Sequence, residues 1–158
     1  MISISIITES DDPRLVQIEK LFLEFYQYMK EKGISTGLPK GGEKVWMASI
    51  NKTLKRFTRL VVASEGDTII GFGHGMIRYA PDYLGGQKIG FVAHFFVSPK
   101  ARTNGTGRKI AEELDAWFKE LNVRSIELQV IENNETGMNF WKALGFKNDM
   151  MQLKKVCS

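Results

Sequence analysis

One change of rhythm between Lys88 and Phe146 constrains this chain more than any other feature. An apolar run, Ile89-Gly90-Phe91-Val92-Ala93-His94-Phe95-Phe96-Val97, stops at Ser98-Pro99. A basic, glycine-bearing turn follows, from Lys100 to Lys109. After it Ile110, Leu114, Trp117, Phe118 and Leu121 recur three and four residues apart, the stripe of one helix face. A second apolar run spans Ser125 to Ile131, and another helical pattern stops at Gly145-Phe146. Strand, glycine turn, helix, strand is a βαβ-like unit, and its turn opens a helix.

Such a turn can hold phosphate. About four backbone N–H groups at a helix start lack intrahelical partners, and the macrodipole places partial positive charge there. Gly105 and Gly107 carry no Cβ, so an anion can approach the backbone closely. Arg102, Arg108 and Lys109 add formal positive charge, and the spacing reads Arg-x-x-Gly-x-Gly. Alone, this hexapeptide is a weak signal, because glycine turns between strands and helices are common.

Composition narrows the classes. The 158 residues suit a single domain, 1–158, with apolar and charged fractions of 43% and 25% that fit an ordinary soluble globule. No apolar run reaches the roughly 20 residues needed to cross a bilayer, and the alternating Ile and Ser of residues 1–7 do not read as a signal peptide, so no membrane is expected and the cytoplasm is the default. The lone cysteine, Cys157, excludes a disulfide framework and a cysteine metal cluster, and no metal is expected. A net charge of +4 is modest. Its clusters, Lys52–Arg59 and Lys100–Lys109, are not interleaved with aromatics as a nucleic-acid platform would be, so no nucleic acid is expected; the first reads as a solvated helix face.

The rest of the chain supplies the frame. Ile2, Ile4 and Ile6 alternate as a short half-buried strand. Ser10-Asp11-Asp12-Pro13 predicts a helix start, and Leu15, Ile18, Phe22, Phe25 and Met29 form its stripe, ended by Gly33. Gly37 to Lys44 has the outline of a P-loop but lacks the Lys directly after the final Gly and the Ser/Thr beyond it. A second helix is expected over Glu43–Phe57, then a strand over Leu60–Ala63, a Glu65-Gly66-Asp67 hairpin turn and a longer strand over Thr68–Tyr79. Gly71, Gly73 and Gly75 sit at alternate positions of that strand, which predicts one face flattened for close packing. Lys147–Lys155 reads as a last strand. The order is β-α-α-β-β-β-α-β-α-β, an α/β (α+β) chain whose first strands pair antiparallel while Lys88–Val97 and Arg124–Ile131 lie parallel across the helical crossover.

Three ordered motifs together resemble the GNAT superfamily of acyl-CoA-dependent N-acetyltransferases: the strand end Val97-Ser98-Pro99, the turn Arg102 to Gly107, and Asn134-Glu135-Thr136-Gly137-Met138-Asn139-Phe140-Trp141-Lys142-Ala143-Leu144-Gly145-Phe146. The resemblance is strong over the C-terminal half and one of layout over the N-terminal half. It implies a mixed sheet splayed at its centre, with the pantetheine arm of acetyl-CoA inserted between the parallel strands. Phe96 and Val97 would offer backbone groups to that arm, Asn134 would bind it from the opposite side, and a backbone N–H near Phe95 would polarise the thioester carbonyl. Backbone N–H groups of Arg102, Thr103, Asn104, Gly105, Thr106, Gly107 and Arg108 would take the pyrophosphate.

The implied reaction is direct attack by a neutral primary amine on the acetyl thioester, with a base to take the amine proton and an acid for the thiolate. The chain departs from the family twice. Trp141 stands where the family usually has the Tyr that serves as acid, and Ala93 where a carboxylate is often found. Trp141 either packs the helix face or lines the acyl pocket. His94, beside Ala93, is the base candidate by chemistry, although strand alternation turns it to the opposite face unless a bulge re-aims it. His74 ranks below it. The acceptor is expected to be a small-molecule amine or, second, a protein amino group. The alternatives are a catalytically weak GNAT-fold module that binds acetyl-CoA as a regulatory ligand, and a nucleotide-phosphate binder using the same turn. A homodimer stays open.

Overall fold

Period-two patterning at the N-terminus does produce a strand, β1 (Ile2–Ile7). The computed structural model describes all 158 residues apart from the side chain of Thr103, one of the expected phosphate-loop residues, which therefore lies outside the described side chains. After β1 come α1 (Leu15–Glu31), α2 (Gly42–Asn51), β2 (Thr58–Glu65), β3 (Thr68–Tyr79), β4 (Lys88–Val97), α3 (Thr106–Glu120), β5 (Ser125–Leu128) and α4 (Glu135–Ala143). Short 3₁₀ turns cover Asp82–Leu84 and Pro99–Asn104.

The five strands lie in sequence order in one mixed sheet. β1 to β4 pair antiparallel and β4 pairs parallel with β5, as the crossover through α3 requires. Each face is apolar. β2 shows how: Leu60 and Val62 point to the α1/α2 layer, with Ile18, Phe22, Met47, Ile50 and Phe72. Val61 and Ala63 point to the α3/α4 layer, with Val92, Ile110, Leu114, Phe118 and Trp141. Residues one apart on β2 thus serve opposite cores, and the strand has to be apolar throughout.

The glycines of β3 are explained by α3. A Cβ on Gly73 would come within 2.6 Å of Ile110 Cγ2 and 2.9 Å of Leu114 Cδ1, and one on Gly75 within 3.0 Å of both Leu114 and Phe118. Gly90 on β4 meets the same Phe118 ring at 2.6 Å. The bare strand face lets α3 settle directly on the backbone.

Several boundaries differ from expectation: β2 is longer than Leu60–Ala63, and of the strand expected over Arg124–Ile131 only Ser125–Leu128 forms, as β5. α1 starts at Leu15 because Asp12 is otherwise engaged: its carboxylate takes the Arg14 backbone N–H at 2.9 Å and clamps the Arg14 guanidinium, leaving Ser10 uninvolved as a cap. α2 ends six residues early, because Lys55 turns to a φ of 73° and Leu54 bridges Thr58 to start β2. Lys147–Lys155 forms no strand among the described residues. Met150, Met151 and Leu153 do not alternate and all stay exposed, and β5, at four residues, offers too short an edge to recruit them.

Candidate active site

The sheet opens at its last seam, between β4 and the edge strand β5. Pairing between β4 and β5 runs from Ile89↔Ser125 to Val92↔Leu128 and then stops, while β4 continues to Val97. Ser98 N–H donates to Ile70 O at 2.8 Å, so Ser98, Phe96 and His94 turn their backbone groups toward β3. By alternation Phe95 and Val97 present theirs to the open side. The expected backbone contribution of Phe95 and Val97 is thus placed at the gap, whereas the Phe96 backbone, expected there too, is turned the other way. The Phe96 ring is buried in the α1/α2 core, against Phe25 and Tyr28.

The loop below the gap is built as the spacing suggested. Gly105 has φ 71° and caps α3, a conformation that favours glycine. Nothing lies within 4 Å of where its Cβ would be, so the turn is open above it. The first intrahelical bond is Lys109 N–H to Gly105 O, at 3.1 Å, so the Thr106, Gly107 and Arg108 amides precede the ladder. Gly107 is held against Phe140 of α4, where a Cβ would come within 3.1 Å. Thr106 is fully buried, and its Oγ1 lacks a hydrogen-bond partner among the described residues. Asn104 and Arg108 are exposed.

Arg102 departs from a simple phosphate ligand. Its Nε donates to Val97 O at 2.9 Å, and its guanidinium lies 4.6 Å from the Tyr28 ring centroid and 5.3 Å from that of Phe96. The Tyr28 hydroxyl in turn donates to Asn134 Oδ1 at 3.0 Å. Asn134 is the N-cap of α4, its Oδ1 also accepting from Gly137 N–H at 3.1 Å. Arg102, Tyr28 and Asn134 therefore form a chain joining the end of β4, α1 and α4. From the sequence Tyr28 reads as a half-buried surface aromatic flanking the α1 stripe, one residue before Met29, and not as a site residue.

His94 is re-aimed by a bulge. His74 pairs with His94 and Gly75 with Val92, so Ala93 is the extra residue. The bulge switches parity, putting Val92 on the α3 side and His94 on the α1/α2 side. There His94 sits among aromatics: ring centroids of Phe22, Trp46 and Phe25 lie 5.2, 5.5 and 6.1 Å away. Its Nδ1 is 3.0 Å from His74 Nδ1 and receives the Trp46 indole N–H at 3.3 Å. Burial pushes His94 down to about 4. Burial, and then repulsion from His94, pushes His74 down to about 3. Both rings are neutral at pH 7. Trp46 is a contributor the sequence did not assign to the site, and His74 one it ranked only below His94 as a base.

Trp141 is buried on the other face, its ring 4.8 Å from Phe95, 4.9 Å from Phe140 and 5.3 Å from Phe146, edge to face with each. It also lines a cavity of about 120 Å³ with Val92, Leu114 and Ile126. Among the described residues no group of three metal-ligating side chains comes together, and no helix is long and apolar enough to cross a membrane.

Comparison with known proteins decides the family. Residues 15–146 match the family model described as the acetyltransferase (GNAT) family, which is most of the chain. The chain belongs to the GNAT family. Solved structures similar to it include a transcriptional regulator from Bacillus halodurans C-125 (20% identity, 99% of this chain and 100% of that one, TM-score 0.76). The aminoglycoside N-acetyltransferase AAC(6')-Iy in complex with CoA is similar at 17% identity over 99% and 96% of the two chains, TM-score 0.77. An aminoglycoside acetyltransferase from an uncultured soil metagenomic sample is similar at 14% over 99% and 97%, TM-score 0.72. At these identities the likeness is one of fold. No curated protein matches the sequence. Family membership makes this GNAT chain an acetyltransferase by class, and its mixed sheet with four helices is the architecture of those neighbours.

Proposed function

We propose that the protein is an N-acetyltransferase that moves the acetyl group of acetyl-CoA to a primary amine by direct attack on the thioester. The observation that carries this reading is the gap on the β5 side of β4, open from Ala93 to Val97, with the helix start at Gly105–Gly107 beside it. A strand-like pantetheine arm suits the outward-facing backbone groups of Phe95 and the N–H of Val97, whose carbonyl is held by Arg102. A pyrophosphate suits the amides of residues 102–108, with Thr103 and Asn104 in the same turn, because a side chain at Gly105 would be strained and one at Gly107 would crowd Phe140. Asn134 bounds the arm on its far side.

In the reaction the amine nitrogen bonds to the thioester carbon, the C–S bond breaks, and coenzyme A leaves as thiolate. The Phe95 N–H favours the developing oxyanion. The amine proton leaves to water, and the thiolate takes a proton from solvent, since Trp141 has no usable acidity. A small-molecule amine is the first acceptor class, aminoglycosides included because two neighbours of this fold act on them. Protein amino groups are the second. The lone exposed Cys157 suits a reducing, cytoplasmic setting.

Trp141 in place of the family's Tyr, buried against Phe95, favours a second reading: a module that holds acetyl-CoA as a sensing ligand without turnover. Multiple-turnover release of free thiol across a panel of amines separates the two. Release dependent on one amine supports the transferase. Saturable acetyl-CoA binding with no thiol release from any amine would favour the module.

A further inference from the structure

The buried histidine pair holds more information than its position. Trp46 Nε1 is a donor only, and its N–H is aimed at His94 Nδ1. That nitrogen therefore carries a lone pair, and the single proton of the neutral ring sits on Nε2. His74 Nδ1, 3.0 Å from the same atom, must then be the donor of the second bond. The two rings have an interplanar angle of 0° and centroids 5.3 Å apart. That separation is the nitrogen–nitrogen distance plus one ring radius at each end. The rings thus lie end to end in one plane, the geometry of a straight N–H···N bond, and not face to face. His74 is left with an unprotonated Nε2, which is buried without a partner among the described residues. Reversing both protons would bury an orphaned N–H there and set the His94 N–H against the Trp46 N–H. A bare buried acceptor is the less costly state, because orphaned donors are the rarer and more expensive group.

We propose that Trp46 and His74 are positioning residues that fix His94 in its Nε2–H tautomer, so that His94 serves the acetyl-transfer site as a hydrogen-bond donor and not as a proton acceptor. His94 Nε2 makes no hydrogen bond among the described residues and, unlike His74 Nε2, is not among the buried polar atoms left without a partner. As an Nε2–H it meets an oxygen, such as a carbonyl or hydroxyl of a bound molecule. To take the amine proton it would need both protons of the pair to reverse against Trp46. The inference rests on the acetyl-transfer reading only for what His94 faces; the tautomers themselves do not depend on it.

The test is a long-range ¹H–¹⁵N imidazole spectrum of the full-length, ¹⁵N-labelled protein near neutral pH. The chain has two histidines, so two ring systems appear, and His74→Gln assigns them by removing one. The expected result is a pair of opposite neutral tautomers: His94 protonated at Nε2 and His74 at Nδ1. In Trp46→Phe, both rings should move toward averaged shifts as the lock on the pair is lost. Two Nε2–H rings, or His94 protonated at Nδ1, would overturn the proposal in the wild-type protein alone, whether or not the Trp46 variant folds. An unchanged Trp46→Phe spectrum would remove Trp46 from the lock. A normal histidine pattern beside active acetyl transfer counts against this inference only, and the expected tautomers beside absent transfer count against the transferase reading only.

Discussion

His74 and His94 tie the site to stability through their protons. In the unfolded chain each ring titrates near 6.5, whereas burial holds His94 at about 4 and His74 at about 3 in the fold. Below pH 6.5 the unfolded chain binds protons that the folded chain refuses, so the stability these rings allow is complete above 6.5 and is lost as pH falls toward 4. Each histidine contributes at most about 1.4 kcal/mol per pH unit in that window. Urea midpoints measured between pH 7 and 5 should therefore fall, and His74→Leu should lessen the slope. A flat profile would mean the rings are not buried as described. A second residue-scale prediction concerns β3. Gly73→Ala puts a methyl 2.6 Å from Ile110, between two buried side chains, and should cost about 1–3 kcal/mol in denaturant melts by overpacking.

At the scale of elements, the ends of α1 and α4 carry the argument. Gly33, at φ 96°, closes α1 with Gly33 N–H to Lys30 O and Ile34 N–H to Met29 O, both 3.1 Å, the paired bonds of a Schellman ending. Gly33→Ala forces a left-handed alanine and should destabilise by about 1–2 kcal/mol. Asn134 does two things with one oxygen, capping α4 and receiving Tyr28 from α1. Asn134→Ala should cost about 1–2 kcal/mol, and a double-mutant cycle with Tyr28→Phe should be clearly non-additive. The same Asn134 variant should raise the KM for acetyl-CoA more than it lowers kcat, and an unchanged KM would leave Asn134 a cap and nothing more.

Across the whole molecule, the sequence was most legible where local patterns and tertiary demand coincide. Glycine at every second position of β3 announced the helix that lies on it, and the Ile110–Leu121 stripe announced that helix. Gly105 and Gly107 showed where the chain turns from β4 into α3. Less legible was whatever depends on a register no single segment encodes. Ala93 is an unremarkable residue, yet its bulge decides which face His94 occupies, and only the pairing of β3 with β4 sets it. Trp46 and Tyr28 read as ordinary stripe neighbours, because the partners that give them a role are 48 and 106 residues away. Lys147–Lys155 had strand-like composition but no long edge beside it. Reading the open seam between β4 and β5 as a cofactor cleft unites these features.

A thermal melt with acetyl-CoA, coenzyme A and ATP, each added separately, tests that claim most directly. A ligand held at 100 times its Kd stabilises the fold by about 2.7 kcal/mol. For a chain of this length that is a rise on the order of 5–10 °C. Such a rise is expected with acetyl-CoA and with coenzyme A, and none with ATP. A cooperative melt that neither thioester nor thiol moves would contradict it, leaving the open seam without its ligand.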